Sequence, residues 1–138
     1  MSEDVIAIEQ VLNRYCHKLD VGDVDAVVAL FTEDGVLIPE YEGTGEHAGR
    51  EAIRAWYTNY GRQVSARASG LRHKISTAMI EVEGDTATSL CYLDADSVDS
   101  STGKRSLAGG RYLDRLERRG GVWLIRERRI VVDYASTL

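Results

Sequence analysis

The sequence of 138 residues has one proline, two cysteines and no long apolar run. The two cysteines, Cys16 and Cys91, are too few for a disulfide framework. Cys16 falls on an apolar helical face, where it serves as a small hydrophobe. No apolar stretch reaches membrane-spanning length. The opening MSEDVIAIEQ is acidic and lacks a basic n-region, so no signal peptide is expected and a reducing cytoplasm is the expected compartment. Positive charge is also short: 17 Lys and Arg stand against 22 Asp and Glu, for a net charge of -5. This argues against a nucleic-acid partner held by phosphate contacts, since a basic face is its usual footprint. Arg126, Arg128 and Arg129 do cluster, but among acids and inside a strand-like run. They read as a solvated strand face with ion pairs. His17, His47 and His73 show no metal spacing, with no His-x-His, Cys-x-x-Cys or Glu-x-x-His. Gly-x-Gly-x-x-Gly, the Walker loop and the Gly-x-Ser-x-Gly elbow are all missing. No metal and no cofactor are expected.

What is present is an ordinary globular composition, 43% apolar and 28% charged. It fits one domain over residues 1–138 with one core. Ser2 can cap a first helix, and Glu3 and Asp4 suit its positive first turn. Val5, Ile8, Leu12, Tyr15, Cys16 and Leu19 then recur at helical spacing as one apolar arc. At about 100° per residue, Asp20 falls roughly 40° beyond Cys16, at the edge of that arc. Gly22 ends the helix. Asp23 caps a second, with Val24, Val27, Val28 and Phe31 facing inward and Asp25 structural in its first turn. Thr32 to Gly35 is a turn. Val36 to Ile38 is a short strand stopped by Pro39. The glycine-rich EYEGTGEHAG that follows reads as a loop. A third helix covers Arg50 to about Tyr60, with Ile53, Trp56 and Tyr57 as its apolar side, and residues 63–70 form a linker.

From Leu71 the period switches to two. Strands are predicted at 71–82, 86–97, 105–117 and 122–133, separated by Glu83-Gly84-Asp85, Asp99 to Gly103 and Gly120-Gly121. Helices followed by such a meander give an α+β fold, with the N-terminal helices packed on a strongly curved antiparallel or mixed sheet. Curvature makes a cone, and a cone of this size leaves a cavity for a small ligand. Outward residues of the Tyr92–Asp96 and Arg111–Arg115 strands alternate apolar with polar, so a homo-oligomer, dimer or trimer, is expected.

Three residues stand out as candidates for chemistry. In LRHKIST, Leu71, His73, Ile75 and Thr77 share one face, and Arg72, Lys74 and Ser76 the other. His73 therefore points inward. An inward histidine needs a partner for its N–H, and is either a satisfied core residue or an acid–base group. Asp20 is the natural partner, because a carboxylate at a helix C-terminus opposes the macrodipole and needs compensation. The alternative is that Asp20 turns the chain toward Gly22. Tyr15 lies within the apolar arc, where packing alone explains it. Tyr92, Tyr112 and Tyr134 share that ambiguity. His17 and Lys18 fall on the polar side, and His47 sits in the glycine-rich loop.

The order and spacing of several segments resemble the SnoaL-like family of the nuclear transport factor 2-like superfamily. They are Tyr15-x-x-x-x-Asp20, VDAVVALFTEDGVL, Gly49 to Ile53, the Arg72-His73 pair, EVEGDTA and GRYLDRLERRGGVW. The resemblance spans nearly the whole chain and implies a cone-shaped α+β barrel. Within the superfamily the chain is most similar to the dehydratase-like branch, which includes scytalone dehydratase, bile-acid dehydratase and hexachlorocyclohexane dehydrochlorinase. That branch uses an Asp–His dyad, and Asp20 and His73 match its positions. Tyr15 matches a tyrosine that the bile-acid enzyme places five residues before its aspartate. The resemblance implies a cofactor-free lyase or isomerase acting on a small apolar, cyclic or polycyclic molecule. His73 would be the base, Asp20 its orienting partner and Tyr15 a hydrogen-bond donor. Ile38 stands where steroid isomerases of this fold carry a catalytic aspartate, which argues against their mechanism. An arginine of some dehydratases falls at Val132, with Arg129 nearby. The alternatives are a non-catalytic apolar-ligand binder and a scaffold subunit of the same fold.

Overall fold

Ser2 caps the first helix as expected, its hydroxyl accepting the Val5 N–H at 3.3 Å. Helix α1, Glu3–Asp20, buries Ile8, Val11, Leu12, Tyr15, Cys16 and Leu19. It closes on a Schellman motif, with the Asp23 N–H reaching back to the Lys18 carbonyl at 3.0 Å and the Gly22 N–H to Leu19 at 3.0 Å. This motif needs a left-handed residue, and Gly22 supplies it at φ +74°. Asp23 then caps α2, Val24–Val28, accepting the Ala26 N–H at 3.1 Å. The structure is a computed structural model that describes residues 2–137.

Strand β1, Phe31–Pro39, contains the segment expected as a turn. Phe31 pairs with Ile125 and Val36 with Glu127, so Thr32–Gly35 breaks the register inside the strand. Phe31 is fully buried, as expected, but from β1 rather than α2. The glycine-rich loop holds a short 3-10 turn, Glu40–Glu42, and a two-residue strand β2, His47–Ala48, paired with β1. Helix α3, Arg50–Gln63, buries Ile53, Trp56 and Tyr57. Four long strands follow: β3 Ala68–Glu83, β4 Thr86–Asp99, β5 Arg105–Arg119 and β6 Val122–Thr137. The sheet order is β2-β1-β6-β5-β4-β3. Among the described residues only the β1–β6 pair is parallel. The six strands form an open α+β cone with three helices packed on its inner side, and β2 and β3 are its edges.

Bulges bend the sheet and reset which residues face inward. In β3, Ser76 opposes Tyr92 and Met79 opposes Leu90, leaving Thr77 and Ala78 against one residue. Thr77 takes φ +56° there. The expectation that Thr77 shares the inward face of His73 and Ile75 is therefore corrected: Thr77 is exposed, and the inward set resumes with Ile80 and Val82. In β6, Leu116 opposes Ile125 while Arg115 opposes Glu127, so Arg126 is the extra residue. Inward positions shift from Trp123 and Ile125 to Arg128 and Ile130. A third break comes where Gly110 opposes Val132 and Gly109 opposes Tyr134. A Cβ on Gly110 would lie 1.9 Å from the Val131 carbonyl oxygen, so the bend requires glycine.

The shifted register overturns the reading of Arg128 as a solvated strand residue. Arg126 and Arg129 do make surface ion pairs, with Asp34 and with Glu40. Arg128 instead has a side chain with no exposure, and its Nε and Nη2 donate to the Asp114 carboxylate at 2.8 Å each. Its guanidinium lies 4.1 Å from the Tyr15 ring centroid and 3.9 Å from that of Tyr112. A positive charge between two aromatic faces is attracted by their quadrupoles.

Candidate active site

The Schellman ending of α1 leaves Asp20 on the last helical turn, facing the open edge of the sheet. Its carboxylate accepts the backbone N–H of His73, 3.1 Å from each oxygen. The same Oδ1 lies 2.7 Å from His73 Nδ1. The two donors offset the unfavourable end of the α1 dipole. They also fix the ring. An ionised carboxylate only accepts, so Nδ1 carries the proton and Nε2 presents a lone pair. The side chains are 7% exposed for His73 and 16% for Asp20, enough to shield the pair without removing it from reach.

Beyond His73 lies an apolar cavity of about 530 Å³ between helices and sheet. Its floor follows from the strand register. His73 opposes Ala95, Ala95 opposes Ala108, and Ala108 opposes Ala135. Three small side chains in a row across the sheet leave space beside the histidine. Leu93, Ile130 and Val132 deepen the apolar wall, and Tyr41, Trp56 and Tyr60 line the helical side.

Tyr15 forms part of the same wall and is almost fully buried. Its hydroxyl lies 2.5 Å from that of Tyr57. Burial raises the Tyr15 phenol above its ordinary pKa, while the Arg128 charge and the Tyr57 hydrogen bond pull it back. Tyr57 and Tyr112 are pushed well above the phenol range, again chiefly by burial. Arg128 loses charge preference by burial, but Asp114 outweighs that and keeps the guanidinium charged.

The structure thus brings Asp20 and His73 into contact and places Tyr15 on the same cavity. His17 is exposed, and His47 lies in β2 within 3.0 Å of Thr44 Oγ1; neither lines the cavity. Arg129 pairs with Glu40 at 2.5 Å, whereas Val132 lines the cavity. Sequence reasoning overlooked Tyr60, whose hydroxyl lies 3.2 Å from His73 Nε2. The available signal was its position four residues after Trp56, on the same helix face. Among the described residues, no group of three His, Cys, Asp or Glu side chains is placed to hold a metal ion. No helix there is long and apolar enough to cross a membrane.

A family model described as a SnoaL-like domain matches residues 1–129. Among solved structures, one similar chain is a Novosphingobium aromaticivorans protein provisionally named an aromatic ring hydroxylase. It is 29% identical, with a TM-score of 0.83, covering 99% of this chain and 94% of that one. A second, from the same organism, is provisionally named a scytalone dehydratase: 21% identity, TM-score 0.84, coverage 96% and 86%. A third is the hexachlorocyclohexane dehydrochlorinase of Novosphingobium barchaimii LL02, at 19% identity, TM-score 0.81 and coverage of 98% and 90%. The last two share the fold with this chain. No curated protein matches it.

Proposed function

The chain belongs to the SnoaL-like domain family, and from that premise we propose that it is a dehydratase-type lyase or isomerase that needs no cofactor. Its substrate is a small apolar molecule, cyclic or polycyclic. The observation that carries this reading is the Asp20–His73 hydrogen bond of 2.7 Å at the wall of an apolar cavity.

His73 Nε2 takes a proton from the carbon or oxygen next to the group that leaves or shifts. Asp20 holds the ring and stabilises the imidazolium that forms. Tyr15 donates to the oxygen on which negative charge grows. The Tyr15–Tyr57 pair has two hydroxyl hydrogens and one bond between them. When Tyr57 donates to Tyr15, the Tyr15 hydrogen is free to enter the cavity. The protonated histidine then returns its proton to the leaving oxygen or to a second carbon. An apolar wall strengthens each of these interactions by keeping water out.

A nitrobenzisoxazole tests the base without knowledge of the natural substrate, because loss of its ring proton releases a coloured phenolate. The wild-type chain is expected to turn it over, and His73→Ala and Asp20→Asn to lose about 10²–10⁴ in rate while remaining folded. A His73→Ala variant as active as wild type sinks the reading. Ligand uptake with no turnover in wild type would leave a binding protein.

A further inference from the structure

The one nitrogen of His73 that a ligand must reach is already engaged. Tyr60 sits in the last turn of α3 with its hydroxyl 3.2 Å from Nε2. Asp20 takes the Nδ1 hydrogen, so Nε2 is the acceptor and Tyr60 the donor. Burial, and then the neighbouring Tyr15, Tyr41 and Asp20 side chains, raise the Tyr60 phenol above its ordinary pKa, so the hydroxyl keeps its hydrogen. The ring is held from behind by Trp56, stacked at 5.6 Å between centroids with planes 19° apart. Trp56 in turn donates from Nε1 to Glu42 at 3.1 Å, in the 3-10 turn. Both rings line the cavity. At 3.2 Å the bond is longer than the roughly 2.5–3.0 Å of hydroxyl-to-oxygen hydrogen bonds, so it is easily exchanged.

We propose that Tyr60 is a positioning residue that caps the His73 base while the cavity is empty, and that a ligand reaches Nε2 by replacing this hydrogen bond. The proposal rests on the catalytic reading for its consequence and not for its test. The exchange selects a chemical class. A ligand with a weakly acidic hydroxyl on an apolar ring, a phenol or an enol, substitutes one O–H···N bond for another. An ether oxygen cannot donate, and would leave a buried lone pair unpaired. The hydroxyl-bearing ligand is therefore favoured at this end of the cavity.

The probes are para-cresol, which reproduces the tyrosine side chain, and its methyl ether. The full chain and Tyr60→Phe are treated with diethyl pyrocarbonate, and modification of His73 is followed by peptide mass mapping. Tyr60→Phe keeps the Trp56 stack and is expected to react about two- to tenfold faster at His73, the range one net hydrogen bond supports. It should also bind para-cresol tighter by a similar factor of about two to ten. In both chains para-cresol should protect His73 better than its methyl ether. Equal or slower modification of Tyr60→Phe, or equal protection by the two probes, overturns the proposal. Should Tyr60→Phe fail to fold, nuclear Overhauser contacts in the unaltered chain decide: with para-cresol bound, the cresol ring must lie beside the His73 ring in place of the Tyr60 hydroxyl end, and a Tyr60–His73 contact kept unchanged at saturating para-cresol overturns the cap. None of these readouts measures turnover. They fail independently of the benzisoxazole test.

Discussion

Two acid–base pairs lie on the inner side of the same cone and have opposite characters. Asp114–Arg128 is sealed, with neither side chain exposed, two parallel hydrogen bonds of 2.8 Å and an aromatic ring on each side of the guanidinium. Its cation keeps its charge throughout the working pH range. Asp20–His73 is held by one side-chain bond, retains some exposure, and opens on the cavity. Its basic member is an imidazole, a group able to take up and release a proton. Tyr15 touches both regions, with its ring against Arg128 and its edge on the cavity wall. A buried pair that cannot change charge supports the core. A buried pair that can, beside open space, is suited to chemistry.

The strongest way to break this contrast is Arg128→Ala. It strands the Asp114 carboxylate in the core, and should cost about 3–5 kcal/mol in urea denaturation. A cost below about 1 kcal/mol would mean that the two pairs are not different in kind. The next effect is confined to alkaline solution. Burial raises the Cys16 and Cys91 thiols from 9.0 to about 11, and Tyr15, Tyr57 and Tyr112 also lie above the usual phenol value. An acid whose folded pKa is raised contributes stability below its unfolded value and loses it as pH climbs through the folded one. The urea midpoint should therefore hold up to about pH 9 and fall between 9 and about 11, the thiol window. A flat midpoint over that window would deny that these groups are buried neutral around Arg128. The smallest effect belongs to the open pair. Asp20→Ala removes the acceptor of two partly buried His73 donors but strands no charge, and should cost about 1–2 kcal/mol by the same denaturation. A loss as large as that of Arg128→Ala would make Asp20 a core residue first.

Much of this site is legible in the sequence because helical and strand periods carry it. The spacing of Ile8, Leu12, Tyr15 and Leu19 defines the buried face of α1, and it leaves Asp20 at that face's edge. Alternation through Leu71, His73 and Ile75 turns the histidine inward, and those residues lie ahead of the Thr77 bulge. Arg128 is illegible for the converse reason. A strict period of two from Trp123 and Ile125 puts Glu127 inside and Arg128 outside. One extra residue at Arg126 reverses both, and no local signal in RERR marks where that bulge falls. Phe31 fits the α2 periodicity although it belongs to β1, since four residues of apolar spacing suit either. The Tyr60 bond to His73 joins α3 to β3, and depends on a tertiary packing that periodicity does not encode.

The hydrogen bond from the His73 backbone to Asp20 has a consequence apart from chemistry. β3 is a terminal strand of the open sheet, sixteen residues long, and such an edge invites a foreign strand to pair with it. Asp20 occupies the outward N–H at residue 73 with both carboxylate oxygens. An incoming strand would have to evict a charged side chain from that rung before the ladder could extend. The residue that steadies the histidine thus also guards the chain against edge-to-edge aggregation.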